Sequence, residues 1–428
     1  MRNSILLVFF SLFLYSCIPQ GINNKVGQKV IEENNSEKTY ISEASSDDIK
    51  NNNIEITERE INEKTYQSNR TIEIVLPSGE KYKYISDSFL NALEIAIFDI
   101  SNSSMFLDFN FYETKEELEK IFLKNQEINK IFIGPLTSED TRTVNKFCDN
   151  QIIIFSFASD RSLADNCVYL FNFFIEDDLQ AIFNFLDDNA RVALLYPNNI
   201  YGNYVNSIIE EYSKNSSATL IYRLSYKEDL SDVREIIKKL GKYEYRKNEL
   251  KRQKEILKQK KDEISLASLK KLEKFETIGE MDFTHLIISD GNIRILELAP
   301  LLPFYDIDPE RVGFIGTGLW DEKSFFDEPS LQGANFPGIE ESNRIDFINK
   351  YIELYHVPPP RISTIMYDLS TLINYLIVNF NNTEEIKNFL DRDNNFIGLD
   401  GKFSIKNNIV KRNLSILKIK DGKATSVN

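Results

Sequence analysis

The sequence contains few of the residues that catalytic and metal sites commonly use. Its 428 residues include two histidines, three cysteines and one tryptophan. The patterns CxxC, HExxH, GxSxG and GxxxxGK do not occur, so thiol or zinc sites, metalloproteases, serine nucleophiles and phosphate-binding loops lack their minimum parts. His285 lies in the buried-strand pattern FTHLIISD, and His356 precedes a run of prolines. We therefore expect a protein that is not an enzyme and holds no metal or cofactor.

The charge and the length of the chain limit its possible partners and its architecture. The formal net charge of −15 is the opposite of the basic surface that nucleic-acid binding needs, so no nucleic-acid partner is expected. The chain beyond residue 70 is too long for a single hydrophobic core, and we expect two lobes.

The first 17 residues have the pattern of a bacterial secretion signal. Arg2 supplies a positive start, and residues 5–15 form an apolar run shorter than the about 20 residues needed to span a bilayer. Residues 14–17 read LYSC, which resembles a lipobox, in which the cysteine is acylated and becomes the new amino terminus. Tyr15 is bulkier than the usual residue, so a plain signal peptide is the alternative. The lipobox implies a periplasmic protein anchored to the membrane through lipid on Cys17.

A polar segment follows this signal. Residues 18–70 are rich in Asn, Glu, Ser and Lys and show no sustained apolar periodicity. Such a segment cannot bury enough apolar surface to offset its conformational entropy, so we expect a flexible tether. Ile18 is not an Asp, and by resemblance to enterobacterial lipoprotein sorting this favours the outer membrane.

Two cysteines remain once Cys17 is set aside. Cys148 and Cys167 could pair in an oxidising periplasm. They could equally be two unpaired buried thiols, because the spacing does not say whether their Cα atoms come within bridging distance.

From residue 71 onward, short apolar runs alternate with helical patterns. Residues 131–133, 152–155 and 192–196 are apolar runs that end in small or turn-forming residues, and residues 84–99 and 201–214 have helical periodicity. Buried parallel strands give such continuous runs because helices cover both faces of their sheet. The same alternation of apolar runs with helical patterns begins again near residue 190. The sequence therefore predicts an α/β fold with two doubly wound, mostly parallel sheets.

Residues 241–276 depart from this alternation. They contain 12 basic and 7 acidic residues, and Leu250, Leu257 and Ile264 recur every seven residues, which marks one stripe of a long helix. A kink or a tight hairpin is expected near residues 262–265. The simpler interpretation is a solvated helical arm resting on the second lobe, and a docking surface for an acidic partner or an anionic polymer is the alternative.

Motifs in a fixed order along the chain carry a resemblance to a known family. They are IGPL (133–136), LYPNNIYG (195–202), GTGLWD (316–321), QGANF (332–336), PPRIS to YDL (359–369) and FIGLDGKF (396–403). The sequence resembles the type 1 periplasmic binding proteins, the family of leucine/isoleucine/valine receptors. More narrowly, it resembles the alphaproteobacterial lipoproteins called penicillin-binding-protein activators.

This resemblance implies how the two lobes are divided. In that fold the chain crosses between lobes three times, here near residues 173–178, 328–336 and 391–398. Lobe 1 would contain residues 71–175 and 333–392. Lobe 2 would contain residues 176–330 and 395–428, with the charged arm at 241–276 inserted in it.

The resemblance also implies a ligand site between the lobes. In amino-acid receptors of this fold, a hydroxyl and backbone N–H groups at two strand-end turns hold the ligand carboxylate, and an acid of the second lobe holds the ammonium group. The matching positions are Ser138, Phe157 and Ser159 for the carboxylate, Asp290 for the ammonium group and Tyr201 as a wall. Ser138, Tyr201 and Asp290 could instead serve only as a helix cap, a helix start and a turn. Phe157 is large for its position, which favours an altered pocket.

Two functions follow from the same resemblance. The first is a non-catalytic regulator of cell-wall synthesis that contacts a penicillin-binding protein or peptidoglycan. The alternative is a solute receptor that binds a branched-chain or related amino acid and serves an ABC permease.

Overall fold

The computed structural model describes residues 71–100, 105–124, 129–149, 151–260, 262–392 and 394–427. These residues belong to one structural unit, Glu60–Asn428. The expected signal, the acylation site Cys17 and the polar tether lie outside them. None of the described helices is long and apolar enough to cross a membrane.

The strands of the described residues follow the predicted apolar runs. In chain order they are β1 (Thr71–Pro77), β2 (Phe106–Tyr112), β3 (Lys130–Ile133), β4 (Ile152–Ser156), β5 (Val168–Leu170), β6 (Arg191–Pro197), β7 (Thr219–Tyr226), β8 (His285–Ile288), β9 (Gly313–Gly316), β10 (Asn335–Gly338), β11 (Phe396–Gly398), β12 (Gly401–Lys406), β13 (Ile409–Arg412), β14 (Ser415–Lys420) and β15 (Lys423–Ser426).

Helices lie between most of these strands. In chain order they are α1 (Glu80–Asp99), α2 (Lys115–Lys124), α3 (Ser138–Val144), α4 (Ile175–Phe185), α5 (Ile200–Lys214), α6 (Val233–Leu240), α7 (Tyr243–Lys260), α8 (Glu263–Leu272), α9 (Asn292–Leu298), α10 (Leu301–Phe304), α11 (Lys323–Phe326), α12 (Ile345–Tyr355), α13 (Ser363–Asn379) and α14 (Thr383–Leu390).

The described strands form two sheets, which define the two lobes. The sheet of lobe 1 has the order β11-β12-β13-β5-β4-β3-β1-β2, and that of lobe 2 has the order β15-β14-β10-β9-β8-β6-β7. In lobe 1 the neighbouring strands β5, β4, β3, β1 and β2 pair in parallel, and in lobe 2 the strands β10, β9, β8, β6 and β7 do the same. The strands β11, β12 and β13 add an antiparallel edge to lobe 1, and β14 and β15 add one to lobe 2. The α/β fold with two doubly wound, mostly parallel sheets is confirmed.

Burial on both faces explains the apolar runs. In β1, Ile72, Ile74 and Leu76 belong to the core beneath α1 and α13, while Val75 points to the opposite face and packs with Phe122 of α2. Successive side chains of a strand point to opposite faces, so a sheet covered on both sides needs apolar residues at almost every position. In lobe 2 the two cores contain residues of α6 and α9 on one face and of α4 and α5 on the other.

The crossings between the lobes differ in part from the predicted positions. The chain leaves sheet 1 after β5, and α4 then packs in a core of lobe 2. The chain returns only after β10, because residues 335–338 pair with β9 and β14 in lobe 2. The last crossing lies at residues 413–414, between β13 and β14. Residues 396–412 therefore belong to lobe 1, not to lobe 2 as expected, because Phe403, Ile405 and Val410 are buried in the lobe 1 core.

Two other features bear on the sequence-based expectations. The described residues between 241 and 276 form two packed helices, α7 and α8, and Asp262 caps the second by accepting a hydrogen bond from Ser265 N at 2.9 Å. We call residues 241–276 the charged hairpin. Cys148 and Cys167 form a disulfide, with their Cα atoms 5.5 Å apart. The sequence left open whether these two cysteines pair, and in the structure they do.

Candidate functional site

The connections between the lobes run beside a cleft of about 360 Å³. Phe173 of the first connection, Gly338 at the start of the second and Leu414 of the third all line it. The remaining lining residues are Ser159, Asn172, Phe174, Arg361 and Ile362 on the side of lobe 1 and Ile175, Asp178, Tyr201, Gly318, Leu319, Asp321, Glu322 and Pro337 on the side of lobe 2. Both lobes therefore contribute to one cavity at the hinge.

Asp178 is a cleft carboxyl whose pKa is raised well above its usual value. It lies in the first turn of α4, and its Oδ2 accepts a hydrogen bond from Gly318 N at 2.7 Å. Burial raises the pKa of Asp178 to about 8 in spite of that bond, and the negative neighbours Asp177 and Glu176 add to the rise. No ion pair joins Asp178 to a lysine or arginine among the described residues. The charge of Arg361 favours ionisation of Asp178 without forming an ion pair, so a cationic group in the cleft would be its direct counterion.

Glycine at position 318 keeps Asp178 accessible. A Cβ built on Gly318 would lie 3.0 Å from Asp178 Oδ1, which is tighter than ordinary van der Waals contact. Gly318 begins a short 3-10 turn that ends at Trp320, and this turn carries the backbone N–H that Asp178 accepts. A side chain here would crowd the carboxylate on the side of the cleft.

Tyr201 forms a second polar element of the cleft wall. Its hydroxyl donates to Thr317 Oγ1 at 3.0 Å, and burial, followed by the charge of Asp178, raises the pKa of Tyr201. The phenol is therefore neutral at physiological pH. Asn199 caps α5 by accepting a hydrogen bond from Gly202 N at 2.9 Å, and this cap sets where the helix, and with it Tyr201, begins.

Arg361 faces the cleft, but its charge is already matched. Its Nε donates to Asp321 Oδ2 at 2.6 Å, and its Nη2 lies 2.7 Å from Asp400 Oδ1. Burial opposes ionisation of Asp321, yet Arg361 and Arg344 together lower the pKa of that carboxyl. Asp321 belongs to lobe 2 and the other three to lobe 1, so this cluster joins the lobes and offers no free positive charge to a ligand.

Phe173 connects this cluster to the last crossing. The guanidinium groups of Arg361 and Arg412 lie 4.4 and 4.9 Å from the centroid of its ring. Arg412 precedes the third connection, and its backbone N–H donates to Asp177 Oδ2 of lobe 2 at 2.8 Å. Burial raises the pKa of Asp177 to about 6 despite that bond. The first and third connections are therefore bound to each other by cation–π contacts and a buried hydrogen bond.

Of the residues expected to bind the ligand carboxylate, one lines the cleft and two do not. Ser159 is exposed and lines the cleft. Ser138 is the first residue of α3, and its hydroxyl accepts a hydrogen bond from Asp160 N at 3.2 Å. The ring of Phe157 is 2% exposed and lies 4.6 Å from that of Phe89 in the core of lobe 1. Ser138 and Phe157 are therefore not among the residues that line the cleft.

Of the residues expected in lobe 2, Tyr201 lines the cleft and Asp290 does not. Asp290 is 1% exposed and pairs with Arg294 at 2.7 Å. It also accepts a hydrogen bond from Tyr226 Oη at 2.6 Å, and its backbone carbonyl accepts one from Trp320 Nε1 at 2.9 Å. The carboxylate and carbonyl oxygens of Asp290 therefore already have partners within the protein.

The sequence contains a signal for Asp178 that no motif marks. Residues 176–178 read EDD directly after the first connection. Acids in the first turn of a helix are ordinary, because they interact well with the helix dipole, and so they do not attract notice. Their position at a crossing of a two-lobed fold is the property that distinguishes them. No cluster of three or more potential metal ligands occurs in the described residues.

Comparison with solved structures identifies the architecture. An ABC transporter substrate-binding protein from Desulfitobacterium hafniense, in complex with leucine, superposes with a TM-score of 0.57 at 16% identity, over 84% of this chain and 99% of that one. A branched-chain amino acid ABC transporter ligand-binding protein from Burkholderia xenovorans gives 0.61 at 9% identity, over 84% and 94%. The chain has the type 1 periplasmic binding-protein fold.

Proteins of this fold take ligands of more than one kind. A solute-binding protein from Rhodopseudomonas palustris, in complex with 3,4-dihydroxybenzoic acid, superposes with a TM-score of 0.56 at 9% identity, over 84% of this chain and 95% of that one. No family model and no curated protein matches the sequence. Identities of 9–16% establish the fold and leave the ligand to be argued from the cleft.

Proposed function

We propose that this protein is a non-catalytic solute receptor that binds a small amine-bearing molecule in the cleft between its lobes. The cleft itself carries the proposal, because both lobes and all the connecting segments line it and no lysine or arginine of the described residues forms an ion pair with Asp178 there. Its volume of about 360 Å³ lies within the range of small-ligand sites. The compared structures are solute-binding proteins of ABC transporters, which supports this function over the regulation of cell-wall synthesis.

The chemistry of the lining favours a branched-chain or related amino acid. The ammonium group would face Asp178, and the side chain would contact apolar residues such as Leu319, Ile362 and Leu414. The ligand carboxylate would be held by the hydroxyl of Ser159, because Arg361 is already paired with two carboxylates and Asn172 Nδ2 already donates to Phe157 O. An ABC permease is the partner that such a receptor would serve.

The activator hypothesis retains one supporting observation. Ser138 and Asp290, the expected ligand-binding groups, both have partners within the protein. A chain that regulates a penicillin-binding protein by surface contact, or binds peptidoglycan, needs no free groups there. This hypothesis predicts a cleft without a small ligand.

A ligand screen separates the two functions. Thermal unfolding would be followed with each amino acid and with muropeptides, and a ligand at about 100 Kd adds about 2.7 kcal/mol to stability, which is a shift of several degrees. We expect such a shift for an apolar amino acid and its loss in Asp178→Asn. Glu211→Gln, an exposed change of the same charge in α5, should keep the shift. A flat screen together with co-purification of a penicillin-binding protein would contradict the receptor function and support the activator hypothesis.

The expected location is a further proposal. The compared proteins include periplasmic ligand-binding proteins, and we propose a periplasmic protein that Cys17 anchors to the outer membrane. Incorporation of radiolabelled palmitate into the native chain, and none into Cys17→Ser, would support the anchor. Equal labelling of both chains would contradict it.

A further inference from the structure

Beyond its base, the charged hairpin is surrounded by solvent. Among the described residues from 251 to 276, only Ser265 is buried. The base is fixed by Arg246, whose Nε donates to Gly241 O at 2.8 Å and whose Nη1 lies 3.2 Å from Asp306 Oδ2. The outer part of the hairpin therefore contributes little to the core of lobe 2, and its surface is open to a partner.

One face of α7 carries a stripe of lysines. Lys247, Lys251, Lys254 and Lys258 recur at spacings of four, three and four residues, which places them on the same side of a helix. The stripe borders the buried side chains of α7, Tyr243, Arg246 and Leu250, and Lys247 Nζ lies 5.4 Å from the centroid of the Tyr243 ring. Within the described part of the chain, no ion pair joins any of the four lysines to a carboxylate.

Exposed apolar side chains lie on the neighbouring helix. Ile264, in the first turn of α8, is 80% exposed, and Phe275, just beyond its end, is 47% exposed. Ile264 and Lys271, seven residues apart, share one face of α8, and Phe275 lies in the turn that follows the helix. Lys254 Nζ donates to Phe275 O at 3.4 Å, so the lysine stripe of α7 lies beside this turn. Together the two faces form one surface, which we call the hairpin face.

We infer that the hairpin face binds a bilayer surface that contains anionic lipids. Residues 241–276 carry 12 basic and 7 acidic residues in a chain of net charge −15, so positive charge is concentrated at this one projection. Lysines attract anionic headgroups, and their long stems allow neighbouring apolar side chains to enter the headgroup region. A soluble polyanion would match the lysines but would give no reason for Ile264 and Phe275 to be exposed. Bound in this way, lobe 2 would face the membrane, a role separate from solute binding.

Vesicle binding tests this inference. The chain from residue 18 onward, without acyl groups, would be sedimented with vesicles of phosphatidylcholine, with and without about one-third phosphatidylglycerol, at about 0.05 M salt. We expect binding to the anionic vesicles, at least about tenfold weaker binding to the neutral ones, and loss of binding at about 0.5 M salt.

Matched variants assign the binding to the hairpin face. Replacing Lys247, Lys251, Lys254 and Lys258 by Glu should weaken binding at least about tenfold. The same change at four exposed lysines elsewhere alters the net charge equally and should alter binding less than about twofold; suitable positions are Lys124, Lys227, Lys418 and Lys420. Ile264→Ser with Phe275→Ser should also weaken binding. No binding by the native chain, or equal loss in the control, would overturn the inference. Unchanged binding in the serine variant would overturn the entry of Ile264 and Phe275 into the headgroup region and leave attraction by charge alone.

Discussion

Asp321 and Arg344 form a two-bond ion pair between the lobes. Nη1 and Nη2 of Arg344 donate to Oδ2 and Oδ1 of Asp321 at 2.7 and 3.0 Å. Asp321 follows β9 in lobe 2, whereas Arg344 immediately precedes α12 in lobe 1, and their side chains are 9% and 5% exposed. Planar, two-bond arginine–carboxylate pairs are among the strongest polar contacts, so this pair and Arg361 hold the lobes in one relative orientation.

Removing the charge of Asp321 should destabilise the protein. Asp321→Asn leaves Arg344 and Arg361 sharing the single carboxylate of Asp400, and an uncompensated buried charge typically costs about 3–5 kcal/mol. Urea unfolding measures the free energy of unfolding. Glu353→Gln makes the same charge change on the exposed face of α12 and should cost less than about 0.5 kcal/mol. Equal losses in the two variants would show that the pair between the lobes does not stabilise them.

Asp178 should make stability fall as the pH rises. Its pKa is about 8 in the folded protein, and an aspartate in an unfolded chain has a pKa of about 3.9. Between these values the folded state binds more protons than the unfolded state, so the free energy of unfolding decreases with increasing pH. Asp178→Asn removes this contribution and should lose less stability between about pH 5 and about pH 8 than the native protein. Asp177 titrates in both proteins, so the comparison of slopes isolates Asp178. Identical slopes would contradict the assignment.

The same carboxyl should make ligand binding depend on pH. An ammonium group requires Asp178 in its ionised form, so a protein at neutral pH must release a proton when the ligand binds. We expect the affinity to rise from about pH 6 to about pH 8 and calorimetry to show proton release when buffers of different ionisation enthalpy are compared. Tyr201→Phe should keep this pH dependence, because its hydroxyl does not titrate in this range. An affinity independent of pH would place the amine elsewhere.

Much of the fold could be predicted because strands buried on both faces leave an unmistakable pattern. The apolar runs at 131–133, 152–155 and 192–196 correspond to β3, β4 and β6. The last crossing could not be predicted in the same way. Residues 396–412 form short antiparallel strands at the edge of sheet 1, and their alternating pattern fits either sheet equally well.

The cleft was harder to predict than the fold, because the partners of a side chain come from distant segments. Asp290 follows the end of β8 by two residues, as expected for a ligand-binding acid, but the hydroxyl of Tyr226, 64 residues away in sequence, donates to it. A local sign was present, since Arg294 follows Asp290 by four residues and pairs with it. An acid followed at that spacing by an arginine is a poorer candidate for binding a ligand than Asp178, which has no such neighbour.

Gly398 should not tolerate a side chain. A Cβ at this position would overlap the carboxylate of Asp368, which is 3% exposed and accepts a hydrogen bond from Leu399 N at 2.7 Å. Because Asp368 cannot move without losing that bond, Gly398→Ala should cost about 1–3 kcal/mol of stability. Gly79→Ala is the matched control, since its φ is −60° and nothing lies within 4 Å of the added Cβ. Gly79 is the N-cap of α1, where Ala is less favourable than Gly, so Gly79→Ala should cost less than about 1 kcal/mol. Similar losses for both would contradict the close packing against Asp368.

The disulfide between Cys148 and Cys167 should stabilise lobe 1. It closes a loop between residues 19 apart in sequence, which connects the segment after α3 to β5 through β4. A loop of this size reduces the entropy of the unfolded chain enough to contribute about 3 kcal/mol. The double variant Cys148→Ala with Cys167→Ala should therefore unfold at lower urea concentration than the oxidised native protein. A thiol reductant should lower the native protein to the level of the variant and leave the variant unchanged. A reductant that destabilised both proteins equally would show that the loss does not come from this bond.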